Sequence, residues 1–594
     1  LTVSERISKL RGLMREKKID AFIVPSFDAH QSEYVSEHWR AREWISGFTG
    51  SAGTVVITQK EAGLWTDGRY FIQAENQLQG SKIELFKMGQ PDVPKYYEWV
   101  RDVLPVNGTV GFNGKSMPLS LYKLMMKTCQ SKKLSFETRY DLIGELWEDR
   151  PGNPDTLIYS LDVKYAGESR VEKLAKVRKE MEKLNSGYYL VSSLDDVAWL
   201  LNIRGGDIPN TPVVTAYVLV SKTNCQLFID MNKVTGAVKK ELEADNIEVL
   251  DYESINKAIT SLKGEGSIIM DPDKTNVYLY NSVPEAFEIV EEPNITANLK
   301  AIKNCTEIKN LRNSHIKDGV ALVKFLIWLD NSLEKEKITE ITVDEKLSGF
   351  RMQQELYMEP SFDTIAGYKD HAAMMHYKAV PGIEYSLEKD GMLLIDSGGQ
   401  YLDGTTDITR TIVLGKLTEE QKKDFTLVLK AHIGLATAKF LYGCSGTHLD
   451  ILARRPLWEE GLDYLCGTGH GVGFLLSVHE GPQGFRRAPL INSTILEPGM
   501  IITNEPGIYK QDKHGIRTEN TMLVVDAFET EYGKYMKFDT ISYCPIDLDG
   551  LNVSLLTQQE MNWLNNYHKE VYDKLSPYLD KEEKAWLKHE TRSI

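Results

Sequence analysis

A chain of 594 residues is too long for one hydrophobic core, and its 42% hydrophobic and 26% charged residues are ordinary globular composition, so about three domains are expected. The net charge of −15 excludes a general nucleic-acid binder, which needs a basic surface to neutralise phosphates. Cys129, Cys225, Cys305, Cys444, Cys466 and Cys544 are scattered, with neither a C-x-x-C pair nor the density of a disulfide scaffold, and no apolar run approaches a bilayer-spanning length. A soluble, unsecreted protein of the reducing cytoplasm, without a membrane partner, is the expectation.

The chain opens on the amphipathic helix pattern "RISKLRGLMREKKI", followed by the strand "DAFIVPS", then "EWISGFTGSAGTVVIT" and "AGLWTDGRY". The same order returns in "RVEKLAKVRKEMEKL", "GYYLVSS", "AWLLNIRGG", "TAYVLVS" and "QLFID". Lys9-Leu10 aligns with Lys173-Leu174, Trp44 with Trp199 and Asp67 with Asp230, which implies duplicated domains. "WEDRPGNPDT", with Pro151, Gly152 and Pro154, marks the linker between the copies, near residue 155. A second boundary falls near "LKAIKNCTEIKNLR", where strands give way to a long helix through "VALVKFLIWLD". Another helix follows, with Thr342 and Glu345 in "TVDEKL" spaced as a capping box. Helices then alternate with β-rich stretches to about residue 540, and "TQQEMNWLNNYHKEVYDKL" is a helix that packs on the main domain or a second subunit. N-x-[ST] triplets at Asn107, Asn294, Asn492 and Asn552 carry no weight in a chain this long.

The chemistry concentrates in "GMLLIDSGGQYLDGTTDITRTIVLG". A hairpin folded about Tyr401 and Leu402 sets Asp396 opposite Asp407, and two facing carboxylates in a partly buried sheet need a proton or a cation between them. "PGMIITNEPGIY" and "GIRTENTMLVV" each place one more carboxylate, Glu505 and Glu519, in a strand-like run where an unpaired charge is costly; Arg517, two residues before Glu519, shares its face. With His470 from "LCGTGHGVGF" the set is four carboxylates and an imidazole, suited to a pair of divalent ions such as Mn²⁺ or Co²⁺. Gly467, Gly469, Gly471 and Gly473 alternate strictly, which does not fit a dinucleotide fingerprint, and are expected to clear space for substrate and metal at His470. "GTVGFNGKSM" lacks the spacing of a phosphate loop, and H-E-x-x-H and G-x-S-x-G are absent.

The ordered set Asp396, Asp407, His470, Glu505 and Glu519 resembles that of the dinuclear metallopeptidases with the pita-bread fold, which include methionine aminopeptidase, prolidase and aminopeptidase P. "DSGGQYLDGTTDITRT", "GTGHGVG", "VHEGPQ", "NEPGIY" and "RTEN" carry the resemblance, and the whole layout is similar to three-domain Xaa-Pro aminopeptidases. It implies an α/β (α+β) chain: creatinase-like domains at 1–155 and 156–310, a pita-bread catalytic domain at 311–540 and a helical extension at 541–594. The implied activity is hydrolysis of the bond between an N-terminal residue and a following proline, by a hydroxide bridging two divalent metals, Mn²⁺ first with Co²⁺ or Zn²⁺ as alternatives. Asp396, Asp407, His470, Glu505 and Glu519 are the implied ligands. Glu505 also shuttles a proton, His376 steadies the substrate carbonyl and oxyanion, His479 lies on the proline side, Arg517 holds the ligand network and Tyr509 walls the proline pocket. Peptides with proline second are the implied partners, in a homodimer. The single copy in prolidase and the missing ligands of creatinase and of pita-bread binding modules argue against those readings. One departure stands out: where many members have histidine four residues before the metal-binding one, this chain has Cys466, a metal ligand, an oxidation-sensitive thiol or a plain small residue.

Overall fold

Thr2 and Glu5 cap α1 (Val3–Lys17) reciprocally, and Ser169 and Glu172 do the same for the equivalent helix Arg170–Lys183. Each helix buries one stripe, Ile7, Leu10 and Met14 in the first and Leu174, Val177 and Met181 in the second; full burial of such a side chain is worth roughly 1.5–3 kcal/mol. The computed structural model describes residues 1–264, 266–487 and 493–594. The chain divides into two units, Leu1–Leu161 with Glu168–Ala297, and Asp162–Gly167 with Asn298–Ile594.

In the first unit, α1 leads to β1 (Ala21–Pro25), α2 (Ala41–Ser46), β2 (Thr54–Thr58), β3 (Ala62–Thr66), β4 (Glu84–Lys87), β5 (Thr109–Gly111) and β6 (Ser135–Glu137). The second copy runs α3 (Arg170–Lys183), β7 (Tyr188–Val191), α4 (Leu194–Leu201), β8 (Ala216–Ser221), β9 (Cys225–Ile229), β10 (Ile247–Asp251), β11 (Gly266–Met270) and β12 (Phe287–Glu291). The sheets are ordered β4-β3-β2-β1-β5-β6 and β10-β9-β8-β7-β11-β12, the same topology twice. Strand senses match as well: β1 runs antiparallel to β2 and parallel to β5, as β7 does to β8 and β11. The duplication expected from the sequence is therefore present, with Trp44 and Trp199 on equivalent helices and Asp67 and Asp230 each following the third strand. Asn294, one of the N-x-[ST] asparagines, is wholly buried; Asn492 lies outside the described residues.

The second unit starts from α5 (Cys305–Ser332), capped by Asn304 and Glu307. The next helix, α6 (Glu340–Arg351), corrects the expected capping box: Thr339 is the cap, its Oγ1 accepting from Thr342 N at 3.2 Å, so Thr342 lies inside the first turn. Strands β13 (Ile365–Tyr368), β14 (Met392–Ser397) and β17 (Ile408–Val413) form one sheet, with β15 (Gly399–Tyr401) and β16 (Gly404–Thr405) extending the β14–β17 hairpin. After α7 (Glu419–Ala436), β18 (Lys439–Leu441) and α8 (Gly446–Trp458) come β19 (Gly469–Gly471), β20 (Glu480–Phe485), β21 (Ile501–Asn504), the hairpin β22 (Gly507–Lys510) and β23 (His514–Arg517), β24 (Asn520–Thr530) and β25 (Gly533–Thr540). The larger sheet is ordered β18-β25-β24-β21-β19-β20. The helix α9 (Gln558–Leu575) packs on this unit, with Leu564, Tyr567, Val571 and Leu575 in one apolar cluster with Val428 and Tyr543. No described helix is long and apolar enough to cross a membrane.

Candidate metal centre

Five strands deliver the centre. Asp396 is the penultimate residue of β14, Asp407 precedes β17, His470 lies within β19, Glu505 follows β21 and Glu519 precedes β24. The β14–β17 register corrects the expected hairpin: Gln400 pairs with Thr405 and Asp396 with Thr409, so the turn is at Leu402–Asp403 and Asp407 is diagonal to Asp396 rather than opposite. A two-residue shift keeps the side-chain face, since strand side chains alternate with period two, and both carboxylates still meet. Arg517 and Glu519 do not share a strand either, because β23 ends at Arg517 and β24 begins after Glu519. They converge through Thr409, whose Oγ1 accepts from Arg517 Nε at 3.1 Å and donates to Glu519 Oε2 at 2.6 Å.

One ligand atom each from Asp407, His470 and Glu519 lies within 4.8 Å of the other two, an arrangement that could hold a metal ion. His470 Nδ1 donates to the Gly471 carbonyl at 2.9 Å, a tautomer that leaves its lone pair on Nε2, 3.3 Å from Glu505 Oε1 and 3.5 Å from Asp407 Oδ2. Three atoms that can each accept then converge on one point. Asp396 Oδ2 accepts from Arg517 Nη2 at 2.6 Å, while Asp396 Oδ1 and Glu519 Oε1 are buried with no hydrogen-bond partner among the described residues. Burial, and then repulsion from Asp396 and Glu505, pushes the Asp407 carboxyl well above the usual range; burial, and then Asp407, does the same to Glu519. Burial pushes Glu505 up to about 7. Four carboxylates against one guanidinium is a site with a deficit of positive charge, and a donor set of carboxylates plus one imidazole fits hard or borderline divalent ions.

The remaining candidates fall around this group. The ring of His479 meets that of His470 edge-on at 4.3 Å, and Glu480 beside it is buried against Lys303 and Lys300. Arg517 Nη1 donates to the Tyr509 hydroxyl at 2.6 Å across the β22–β23 hairpin. His376 is half-buried, in the turn after the 3₁₀ segment Lys369–Ala373, which packs so closely on β23 that a Cβ on Gly515 would collide with the Ala372 carbonyl. Cys466 is outside the ligand group; half-buried, it packs in the same apolar cluster as Tyr464 and Tyr509, and its carbonyl accepts from Arg454 Nη2 at 2.8 Å.

The alternating glycines work otherwise than expected. A Cβ on Gly469 would collide with the Thr503 carbonyl, one on Gly471 with the Glu480 carbonyl and one on Gly473 with the Ser477 carbonyl. They let β19 lie against its neighbouring backbones, and only indirectly serve His470. Sequence reasoning missed Thr409 and Thr503. Thr503 Oγ1 accepts from His470 N at 3.0 Å and donates to Glu505 Oε1 at 3.3 Å. The available signal was a threonine two residues from a ligand, Asp407 or Glu505, on the same face of an otherwise apolar strand.

Fold and centre together define a metallopeptidase. Family models described as "Creatinase/Prolidase N-terminal domain" match residues 6–138 and 149–307, "Metallopeptidase family M24" matches 309–526, and "C-terminal region of peptidase_M24" matches 534–594. Aminopeptidase P2 of Arabidopsis thaliana is 41% identical, over 100% of this chain and 89% of that protein; Xaa-Pro aminopeptidase 1 of Dictyostelium discoideum is 39% identical, over 100% and 97%. The crystal structure of X-prolyl aminopeptidase from Caenorhabditis elegans, described as a cytosolic enzyme with a di-nuclear active site, superposes with a TM-score of 0.96 at 34% identity, covering 100% of both chains. The chain belongs to metallopeptidase family M24, with two creatinase-like domains ahead of a pita-bread catalytic domain.

Proposed function

We propose that the protein is an Xaa-Pro aminopeptidase, which hydrolyses the bond between an N-terminal residue and a following proline, with two divalent ions held by Asp396, Asp407, His470, Glu505 and Glu519. The observation that carries this reading is the convergence of the half-buried His470 with the buried Asp407 and Glu519, with their neighbouring carboxylates short of positive partners. The full-length similarity to aminopeptidase P relatives supports the substrate. Divalent ions there supply Lewis acidity and a water-derived nucleophile at neutral pH.

The chain's own residues do the rest. Glu505, steadied by Thr503, takes a proton from the attacking water at Oε1 and passes it to the proline nitrogen as the C–N bond breaks. His376 steadies the substrate carbonyl and the tetrahedral oxyanion, and His479 lies on the proline side. Arg517 orients Asp396, and with Tyr509 closes one wall of the proline pocket. Residues 1–155 and 156–310 form the two creatinase-like domains, 311–540 the catalytic domain and 541–594 its extension. Mn²⁺ is the metal we assign, the cytoplasm the compartment and a homodimer the assembly.

Release of the first residue from Xaa-Pro-Zaa tripeptides, compared with an Xaa-Pro dipeptide across Mn²⁺, Co²⁺ and Zn²⁺, tests the reading. The tripeptide is expected to be cleaved with Mn²⁺. Full activity in the metal-free protein, or cleavage confined to the dipeptide, would overturn it.

A further inference from the structure

Glu340, the first residue of α6, is wholly buried and accepts from four separate donors. The Tyr368 N–H reaches Oε1 at 2.8 Å; the Tyr385 N–H and the Tyr377 hydroxyl reach Oε2, each at 2.8 Å; His371 Nδ1 lies 3.0 Å from both oxygens. All four donors fall between residues 368 and 385, the segment that carries His376. The rings reinforce the clamp: His371 stacks flat on Tyr385, centroids 3.7 Å apart and planes 6° apart, and stands 4.5 Å from Tyr377.

Beyond the 3₁₀ turn Lys369–Ala373, residues 374–385 belong to no named helix or strand, so no sheet ladder fixes their course. Glu340 fixes it, together with two backbone pairings at its C-terminal end, Glu340 N to Tyr385 O at 3.2 Å and Leu387 N to Ile338 O at 2.8 Å. Tyr377, next to His376, is 5% exposed, inside an apolar cluster with Ile365, Ala372 and Leu394. Its anchored hydroxyl sets where the preceding residue sits.

We infer that Glu340 is a positioning residue for substrate: by holding Tyr368, His371, Tyr377 and Tyr385 it fixes the segment that presents His376 to the scissile carbonyl. The inference rests on the peptidase reading above. Glutamine at 340 turns one acceptor into a donor and sets it against donors, so at least one of the four loses its partner.

The test is a double-mutant cycle in the full-length, Mn²⁺-loaded protein, with kcat and KM measured on an Xaa-Pro-Zaa tripeptide for wild type, Glu340→Gln, His376→Ala and the double variant. Glu340→Gln is expected to lower kcat by about 10- to 100-fold, at unchanged metal content, and to add nothing in the His376→Ala background. Amide hydrogen exchange across 368–385 is expected to quicken. Losses that multiply in the double variant, or unchanged exchange in the segment, overturn the inference. Where Glu340→Gln does not fold, Tyr377→Phe removes a single donor and carries the same cycle. A wild type that cleaves no Xaa-Pro bond refutes the peptidase reading instead, and the exchange measurement still decides whether Glu340 holds the segment.

Discussion

In the N-terminal unit, Lys233 Nζ meets Asp207 Oδ2 at 2.5 Å with both side chains almost fully buried, and Thr156 Oγ1 and the Thr215 N–H complete the aspartate's partners. Lys173, equally buried, rests on the Trp199 carbonyl, the Asn202 amide oxygen and the Trp199 ring. In the catalytic unit, Asp396, Asp407, Glu505 and Glu519 crowd one guanidinium, and two of their oxygens lack partners among the described residues. A closed pair has nothing left to bind; a surplus of one sign demands a cation. The difference teaches that burial of charge alone does not mark a site, whereas buried charge left unbalanced does.

The comparison breaks most sharply at Asp407. Asp407→Asn should reduce tripeptide cleavage to background and lower the bound metal, measured by kcat/KM and elemental analysis; retention of both would remove Asp407 from the ligand set. Lys233→Met does the converse. It leaves a buried carboxylate without its cation and should cost roughly 3–5 kcal/mol of N-terminal unit stability in denaturant unfolding. Cleavage per folded molecule should be unchanged, and an equal loss of metal would erase the contrast between the units.

Thr409→Val removes the hydroxyl that orients Glu519 and should weaken metal binding by about 10- to 100-fold, read by competition with a chelator. The last contrast is set by pH. In the metal-free chain Glu505 holds its proton up to about 7, above the usual carboxylate value, so the folded state carries the extra proton between that usual value and 7. Metal-free stability from this group is therefore full below that window and lost as pH rises through 7, by about 1.4 kcal/mol per unit. Metal displaces the proton, so the rise in Tm on adding Mn²⁺ should grow from pH 5 to pH 7. Burial lowers His432 to about 3 and His568 to about 4, and these run the opposite way, with stability lost as pH falls from the ordinary histidine range. They do so with and without metal, and cancel in the difference. A Tm rise that is flat with pH would count against proton–metal competition at Glu505.

Much of this was legible along the chain because it is local. The capped helices α1 and α3, the order helix-strand-helix-strand-strand in both copies, and the residue types of the centre all follow from short-range pattern. Boundaries and register were less legible. A cap at Thr339 rather than Thr342 and a hairpin turn one residue late are choices between local alternatives of similar energy, and packing settles them. Glu340 gave no local signal at all. It reads as an ordinary first-turn acid, and only the chain returning at 368–385 shows its four donors.

The linear sequence, then, determined the duplicated layout, the negative charge, and a histidine with four carboxylates set in apolar or glycine-rich strands. Tertiary structure decided that Asp407, His470 and Glu519 meet within one ion's reach, that the glycines around His470 serve close strand packing, and that Cys466 lies among apolar neighbours outside the ligand group. The reason is range. Helix period, strand alternation and capping act over a few residues, whereas the balance of buried charge depends on which strands, from two sheets and up to more than a hundred residues apart, bring their carboxylates together.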